Sequence, residues 1–172
     1  MAKAGLTSRL AELEERQPMP KDTGEHNTTV AYVREVGGRA YFEVPVSGPT
    51  VTPGSRVRKI DAVRIEGIAD GECLDFDHDS FIADLHEARV RGLEVELIEA
   101  KNRASRYTIG QAIGAGDLFL ETFEDWGPIV LAVLYDESRA DSALDRVCQR
   151  RGIRVHRRTW IPGGRATQPE ED

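Results

Sequence analysis

Asp61, in the run RKIDAVRI, and Glu99 and Lys101, in VELIEAKNR, are the residues of this 172-residue chain whose types and placement could do chemistry. Two carboxylates projecting from neighbouring strands can share a divalent cation such as Mg²⁺, which takes oxygen ligands and keeps several waters for a phosphate and a nucleophile. The backbone carbonyl of Ala100 is placed to add a further oxygen ligand. A lysine two residues after one ligand, on the same face of a strand, can hold or deprotonate the attacking water and offset charge on a phosphorane-like transition state. The chain has 19 Arg but only Lys3, Lys21, Lys59 and Lys101, so Lys101 is not simply the default cation. A compact ammonium suits that role better than a guanidinium. Cys73 and Cys148 are the only cysteines, with no CxxC or Cys/His cluster, which argues against a disulfide scaffold or structural zinc and leaves oxygen and nitrogen chemistry.

The elements that must position these residues follow from periodicity. Residues 57–65 alternate, with Val57, Lys59, Asp61 and Val63 on one face, so Asp61 sits inside a strand among Val, Ile and Ala. Residues 93–100 alternate again, and Glu99 and Lys101 point the same way. Upstream, Leu6, Leu10 and Leu13 predict a helix that ends by Pro18 and Pro20. Residues 29–34 and 40–46 read as two β-rich runs forming a hairpin around Gly37-Gly38, and 49–55 as a second turn. A short helix over 80–89, capped by Ser80, follows the strand of Asp61. Residues 108–121 read as an amphipathic helix, 128–135 as a buried strand, 140–151 as a helix and 153–158 as a last strand. The expected architecture is α/β, a mixed central sheet flanked by helices, in one domain over 1–161, with a disordered acidic tail at 162–172.

An acid mid-strand, followed on the next strand by (Asp/Glu)-x-Lys and then by a helix beginning near a glutamine, resembles the PD-(D/E)xK superfamily, the restriction-endonuclease-like nucleases and Holliday-junction resolvases. Asp61 matches the first acid, Glu99 the second, Lys101 the lysine and Gln111 the helix glutamine. The resemblance covers residues 29–158 and implies an αβββαβ core, Mg²⁺ dependence with Mn²⁺ as a substitute, and phosphodiester hydrolysis with Gln111 orienting the metal shell. Ile60 stands where such chains often carry proline before the first acid. Several members draw a third acid from an N-terminal helix, for which Glu12, Glu14 and Glu15 are candidates. The 38 residues from Asp61 to Glu99 are a long spacing, which predicts an insertion at 66–88 looped out between the two strands.

Charge bears on the partner. The net charge is −7, which excludes a uniformly basic nucleic-acid clamp, yet 65–88 holds eight acids and no base, so the rest of the chain sums to +1. Residues 146–165 hold seven Arg and no acid. Arg150, Arg151, Arg154, Arg157 and Arg158 are the best phosphate-backbone candidates, with Arg58, Arg103 and Arg106 beside the carboxylates. The same cluster also reads as a solvated helix face with edge-strand protection. Aromatics at 6% offer no stacking platform for single strands. Asp75-x-Asp77-x-Asp79 suggests a calcium loop, but Ser80 and His86 stand where such a loop needs glycine and glutamate. No apolar stretch is long enough to span a bilayer and no signal-peptide pattern opens the chain, so no membrane partner and a cytoplasmic location are expected.

The sequence therefore predicts a Mg²⁺-dependent nuclease acting on DNA, with a homodimer expected if both strands are cut. Two alternatives stand beside it. One is a catalytically inactive nucleic-acid-binding or protein-interaction module on the same fold. The other is an acidic polyanion mimic, disfavoured because the acids cluster in one segment.

Overall fold

A computed structural model describes residues 23–47, 57–123 and 128–163. The expected helix on Leu6, Leu10 and Leu13, its acids Glu12, Glu14 and Glu15, the turn at 49–55 and tail residues 164–172 lie outside the described residues. No described helix is long and apolar enough to cross a membrane.

The first element corrects the expected hairpin. Residues Gly24–Val36 form a helix, α1. Thr28, Thr29, Tyr32 and Val33 are β-branched or aromatic, so local propensity favours a strand, but their spacing puts all four on one buried helical face. Thr23 caps the helix, its side chain accepting from His26 N at 3.2 Å. The Thr29 hydroxyl donates back to the Glu25 carbonyl at 2.7 Å. Gly37-Gly38 then ends a helix: the Gly37 N–H donates to the Val33 carbonyl at 2.8 Å, with φ of +78° and +90° at the two glycines. At Gly38 a Cβ would lie 2.8 Å from the Ile65 carbonyl, so a side chain has no room there.

Strand β1 (Gly38–Val46) pairs antiparallel with β2 (Arg58–Ile65), which pairs antiparallel with β4 (Val95–Lys101). Helix α3 (Arg106–Phe123) carries the chain to β5 (Ile129–Asp136), parallel to β4, and α4 (Ser142–Arg150) to β6 (Arg154–Arg158), parallel to β5. The acidic stretch between β2 and β4 is not looped out. It supplies β3 (Asp70–Asp75), an edge strand parallel to β1, and helix α2 (His78–Arg91). The sheet order is β3-β1-β2-β4-β5-β6.

Phe81, Leu85 and Ala88 of α2 are fully buried with Phe119 and Phe123 of α3 against β1, β2 and β4 on one sheet face. Tyr32 and Val33 of α1 cover the other face over Ala40, Phe42, Ala62, Ile98 and Ala100. The cap of α2 is Asp77, whose side chain accepts from Ser80 N at 2.9 Å, not Ser80 itself; this helix cap replaces any calcium loop. Asp84, one of the eight acids, is buried on this helix and accepts from Arg39 at 2.8 Å and Tyr41 at 2.6 Å. The insertion is part of the core, and one of its charges is neutralised inside it.

Candidate functional site

The ladder between β2 and β4 opens at the expected residues. Pairing runs from Ile65 opposite Val95 to Ala62 opposite Ile98 and stops, so Asp61 and Glu99, next in register, face each other across a fork. In place of a strand bond, Asp61 Oδ2 accepts the Ala100 N–H at 2.8 Å. The N–H and C=O of one strand residue point to the same neighbour, so the Ala100 carbonyl shares that opening. Lys101, at the end of β4, places Nζ 3.0 Å from Asp61 Oδ2 and 3.0 Å from Glu25 Oε1 on α1. Both hydrogen bonds to Asp61 use Oδ2, and Oδ1 has no protein donor among the described residues.

Glu99 is in a harsher environment. Its residue is 2% exposed, it accepts no hydrogen bond from the described residues, and its Oε1 is a buried acceptor without a partner. A buried charge without a donor is costly, so the group takes up a proton instead. Burial, with the Asp61 carboxylate second, pushes Glu99 up to about 8, against the pull of Lys101 and Arg58. Burial also raises Asp61, with Lys101 and the Ala100 N–H opposing. At Lys101 burial acts to lower the pKa, but Asp61 and Glu25 outweigh it and the ammonium is held above its ordinary value. Lys101 is therefore a charged donor here rather than a poised base.

Two further acids reach the site that the sequence pattern did not single out. Glu25 stands in the first turn of α1, the only acid there, and is the described helical acid at the site; Glu12, Glu14 and Glu15 lie outside the described residues. Its signal is present as Thr23-Gly-Glu-His, a helix start, but the β-branched threonines that follow it favour a strand and mask it. Glu43 lies on β1 opposite Asp61, between the pairs Phe42 with Ala62 and Val44 with Ile60. It is the one non-glycine residue with positive φ among the described residues, at +56°. Nothing in its local sequence announces that.

Gln111 is on α3 as expected, and its side-chain Oε1 is the other buried acceptor without a partner among the described residues. Arg58, expected to meet nucleic acid, donates to the Gln111 carbonyl at 2.9 Å and so ties β2 to α3. Comparisons with protein-family models, with curated proteins and with solved structures found no match. The site therefore rests on its own geometry. Among the described residues no three His, Cys, Asp or Glu side chains are grouped as a ready metal cage. The fork supplies two carboxylates and a carbonyl.

The arginine cluster divides. Arg154 pairs with Glu94 at 2.6 Å and Glu96 at 3.3 Å, Arg158 with Glu35 at 3.0 Å, and Arg157 with Asp145. The run looked free of acids because its partners come from α1, from β4 and the residue before it, and from α4. Arg103, Arg106, Arg150 and Arg151 are exposed and make no ion pair among the described residues. Arg103 and Arg106 lie in the loop and first helical residue after Lys101, where Ser105 and Thr108 cap α3 reciprocally at 3.2 Å. A helix N-terminus beside exposed guanidinium groups favours anions.

On the α1 side of the sheet lies a second ionic cluster. Glu96, 1% exposed, accepts from Tyr32 at 3.0 Å and Arg64 at 2.9 Å, and its other oxygen is 2.8 Å from His156 Nε2. Burial acts to raise Glu96, but the hydrogen bonds of His156 and Arg64 bring it down to about 2. Every oxygen of Glu96 is engaged, in contrast to Glu99 three residues later. Glu96 holds α1, β2, β4 and β6 together.

Proposed function

We propose that the protein is a divalent-cation-dependent phosphodiester hydrolase of the PD-(D/E)xK kind, acting on DNA, with Asp61, Glu99 and the Ala100 carbonyl as the cation's ligands. One observation carries this reading: Glu99 is a buried carboxylate whose Oε1 has no hydrogen-bond partner among the described residues, set across a strand fork from a second carboxylate. Native structures seldom leave such a group unsatisfied without a reason. Asp61 Oδ1, Glu99 Oε1 and the Ala100 carbonyl are hard oxygen donors on one opening, which fits Mg²⁺ or Mn²⁺ holding most of its waters. When bound, the cation would polarise a phosphate oxygen and lower the pKa of a coordinated water.

The remaining roles belong to the chain. Lys101, a charged donor 3.0 Å from Asp61, holds a water or a phosphate oxygen and offsets the charge that develops on the phosphorus centre. Asp61 positions that ammonium through Oδ2 and keeps Oδ1 for the cation. Gln111 presents from α3 an amide oxygen without a partner among the described residues, for the surrounding shell. Arg103 and Arg106 hold the phosphate backbone, with Arg150 and Arg151 as a second exposed pair. With β3 and α2 set aside, the order α1-β1-β2-β4-α3-β5 reads αβββαβ, which agrees with the resemblance that Asp61, Glu99, Lys101 and Gln111 carry. One such centre cuts one strand, so a homodimer is the expected form for cutting both.

A cleavage panel of linear, nicked, branched and single-stranded DNA with Mg²⁺ or Mn²⁺ tests the function. Cleavage of at least one substrate that stops with chelator and in Lys101→Ala is expected. A wild-type protein that binds Mn²⁺ and these substrates yet cuts none would be the non-catalytic module instead.

A further inference from the structure

The backbone at Glu43 is the least comfortable place in the described chain. Its φ of +56° brings Cβ against the carbonyl that follows, a conformation glycine adopts freely and other residues resist. The consequence for β1 is visible in its packing: Tyr41 faces the α2 and α3 side, Phe42 faces α1, and then Val44 and Val46 return to the α2 and α3 side. The alternation inverts across Glu43. On β2 it inverts across the residue opposite: Ile65 and Val63 face the α2 and α3 side, Ala62 faces α1, and Ile60 returns to the α2 and α3 side across Asp61. Two facing residues thus take up a shared irregularity, and it opens the sheet where the β2 and β4 ladder ends.

Glycine at position 43 would make the same inversion without strain. What glycine lacks is the carboxylate, and the charged groups around that carboxylate are those of the fork. Lys59 Nζ is 3.9 Å from it, and Asp61, Glu25 and Lys101 act on it electrostatically. The strand register sets Glu43 directly opposite Asp61, so the two acids face each other across β1 and β2. Strain of this kind persists where the side chain is needed.

We propose that Glu43 is a positioning residue of the centre: its carboxylate, aimed by left-handed backbone at Asp61, presses Asp61 toward β4 and adds the negative charge that draws a divalent cation to Asp61 and Glu99. The proposal rests on the cation reading of the fork. It adds an acid from β1 to the acids from β2 and β4, one that acts through Asp61.

Glu43→Gly, Glu43→Ala and Glu43→Gln separate the backbone from the charge. Thermal midpoints without cation and calorimetric titrations with Mn²⁺ are the readouts. Glu43→Gly should melt about 2–4 °C above Glu43→Ala, because the left-handed conformation penalises alanine. All three variants should bind Mn²⁺ about tenfold or more weakly than wild type, including Glu43→Gln, which keeps the length of the side chain and loses only its charge. Mn²⁺ affinity within twofold of wild type in Glu43→Gln and Glu43→Gly overturns the proposal and leaves the fork site standing. A Glu43→Gly protein that melts no higher than Glu43→Ala overturns it as well, since the side chain would then carry no backbone strain to explain. If wild type itself takes up no Mn²⁺, the cation reading of Asp61 and Glu99 fails first.

Discussion

Lys101 Nζ bridges two carboxylates from different elements, 3.0 Å from Asp61 on β2 and 3.0 Å from Glu25 on α1. The ammonium is the counter-charge that lets the acids of the fork approach one another in the absence of a cation. Replacing it separates catalysis from cation binding. Lys101→Ala should lose cleavage by about 100-fold or more, the cost of removing one donor to a developing oxyanion. It should bind Mn²⁺ as well as or more tightly than wild type, because a positive charge beside the carboxylates is gone. A cleavage rate equal to wild type in this variant would remove Lys101 from the mechanism.

Glu99 ties stability to pH in the cation-free protein. Its pKa is raised to about 8 from an ordinary 4.5, so the folded state holds a proton that the unfolded state releases. The stabilisation from that proton is present below about pH 4.5 and is lost as pH rises through about 8. Glu99→Gln removes both the buried charge and its titration. It should stabilise the protein at pH 8 by about 0.5–2 kcal/mol while losing the cation, an exchange common at functional sites. Denaturant melts of both proteins at pH 5 and pH 8 read this: the wild-type midpoint falls over that interval more than the variant's.

Glu96 should behave in the opposite sense. Its pKa is depressed to about 2, so its contribution is present above about 4.5 and is lost as pH falls toward 2. Glu96→Ala leaves Arg64, whose side chain is 6% exposed, as a buried cation without its acid. Breaking one side of such a pair costs about 3–5 kcal/mol. The variant should melt far lower at pH 7 and lose much of the wild-type dependence on acid, measured by thermal scans from pH 7 to pH 3.

The divided arginines give distinct readouts. Arg103→Ala with Arg106→Ala should reduce the salt dependence of DNA binding, the log–log slope falling by about 0.9 for each phosphate no longer neutralised, with little change in thermal midpoint. Arg154→Ala and Arg158→Ala should lower the midpoint and leave the slope near wild type, since their partners are Glu94, Glu96 and Glu35. Equal slope changes from both pairs would show that the ion pairs open on DNA.

The strands that carry Asp61, Glu99 and Lys101 were legible because alternation is a local signal, and an acid at a position flanked by Ile60 and Ala62 breaks it visibly. The helix of Gln111 and the last two strands were legible for the same reason. Helix α1 was not, because its threonines and valines favour a strand locally and its stability comes from burying Tyr32 and Val33 against β1 and β4. Within 66–88 the helix over 80–89 was legible, but the long spacing from Asp61 to Glu99 suggested a looped-out insertion, whereas β3 pairs with β1 and Asp84 is held by Arg39 and Tyr41, more than forty residues earlier. The acids that neutralise Arg154, Arg157 and Arg158 are equally remote or on another element. Glu25 and Glu43 reach the site only through the packing of α1 and the inverted alternation of β1, neither of which local spacing encodes.

The central claim is that Glu99 Oε1 and Asp61 Oδ1, neither with a protein donor among the described residues, form a divalent-cation site. Calorimetric titration of Mn²⁺ into wild type beside Glu99→Gln at pH 8, with circular dichroism to show that both are folded, tests it most directly. Saturable binding to wild type and none to a folded Glu99→Gln is the predicted result. No binding to wild type, or equal binding to both, contradicts it.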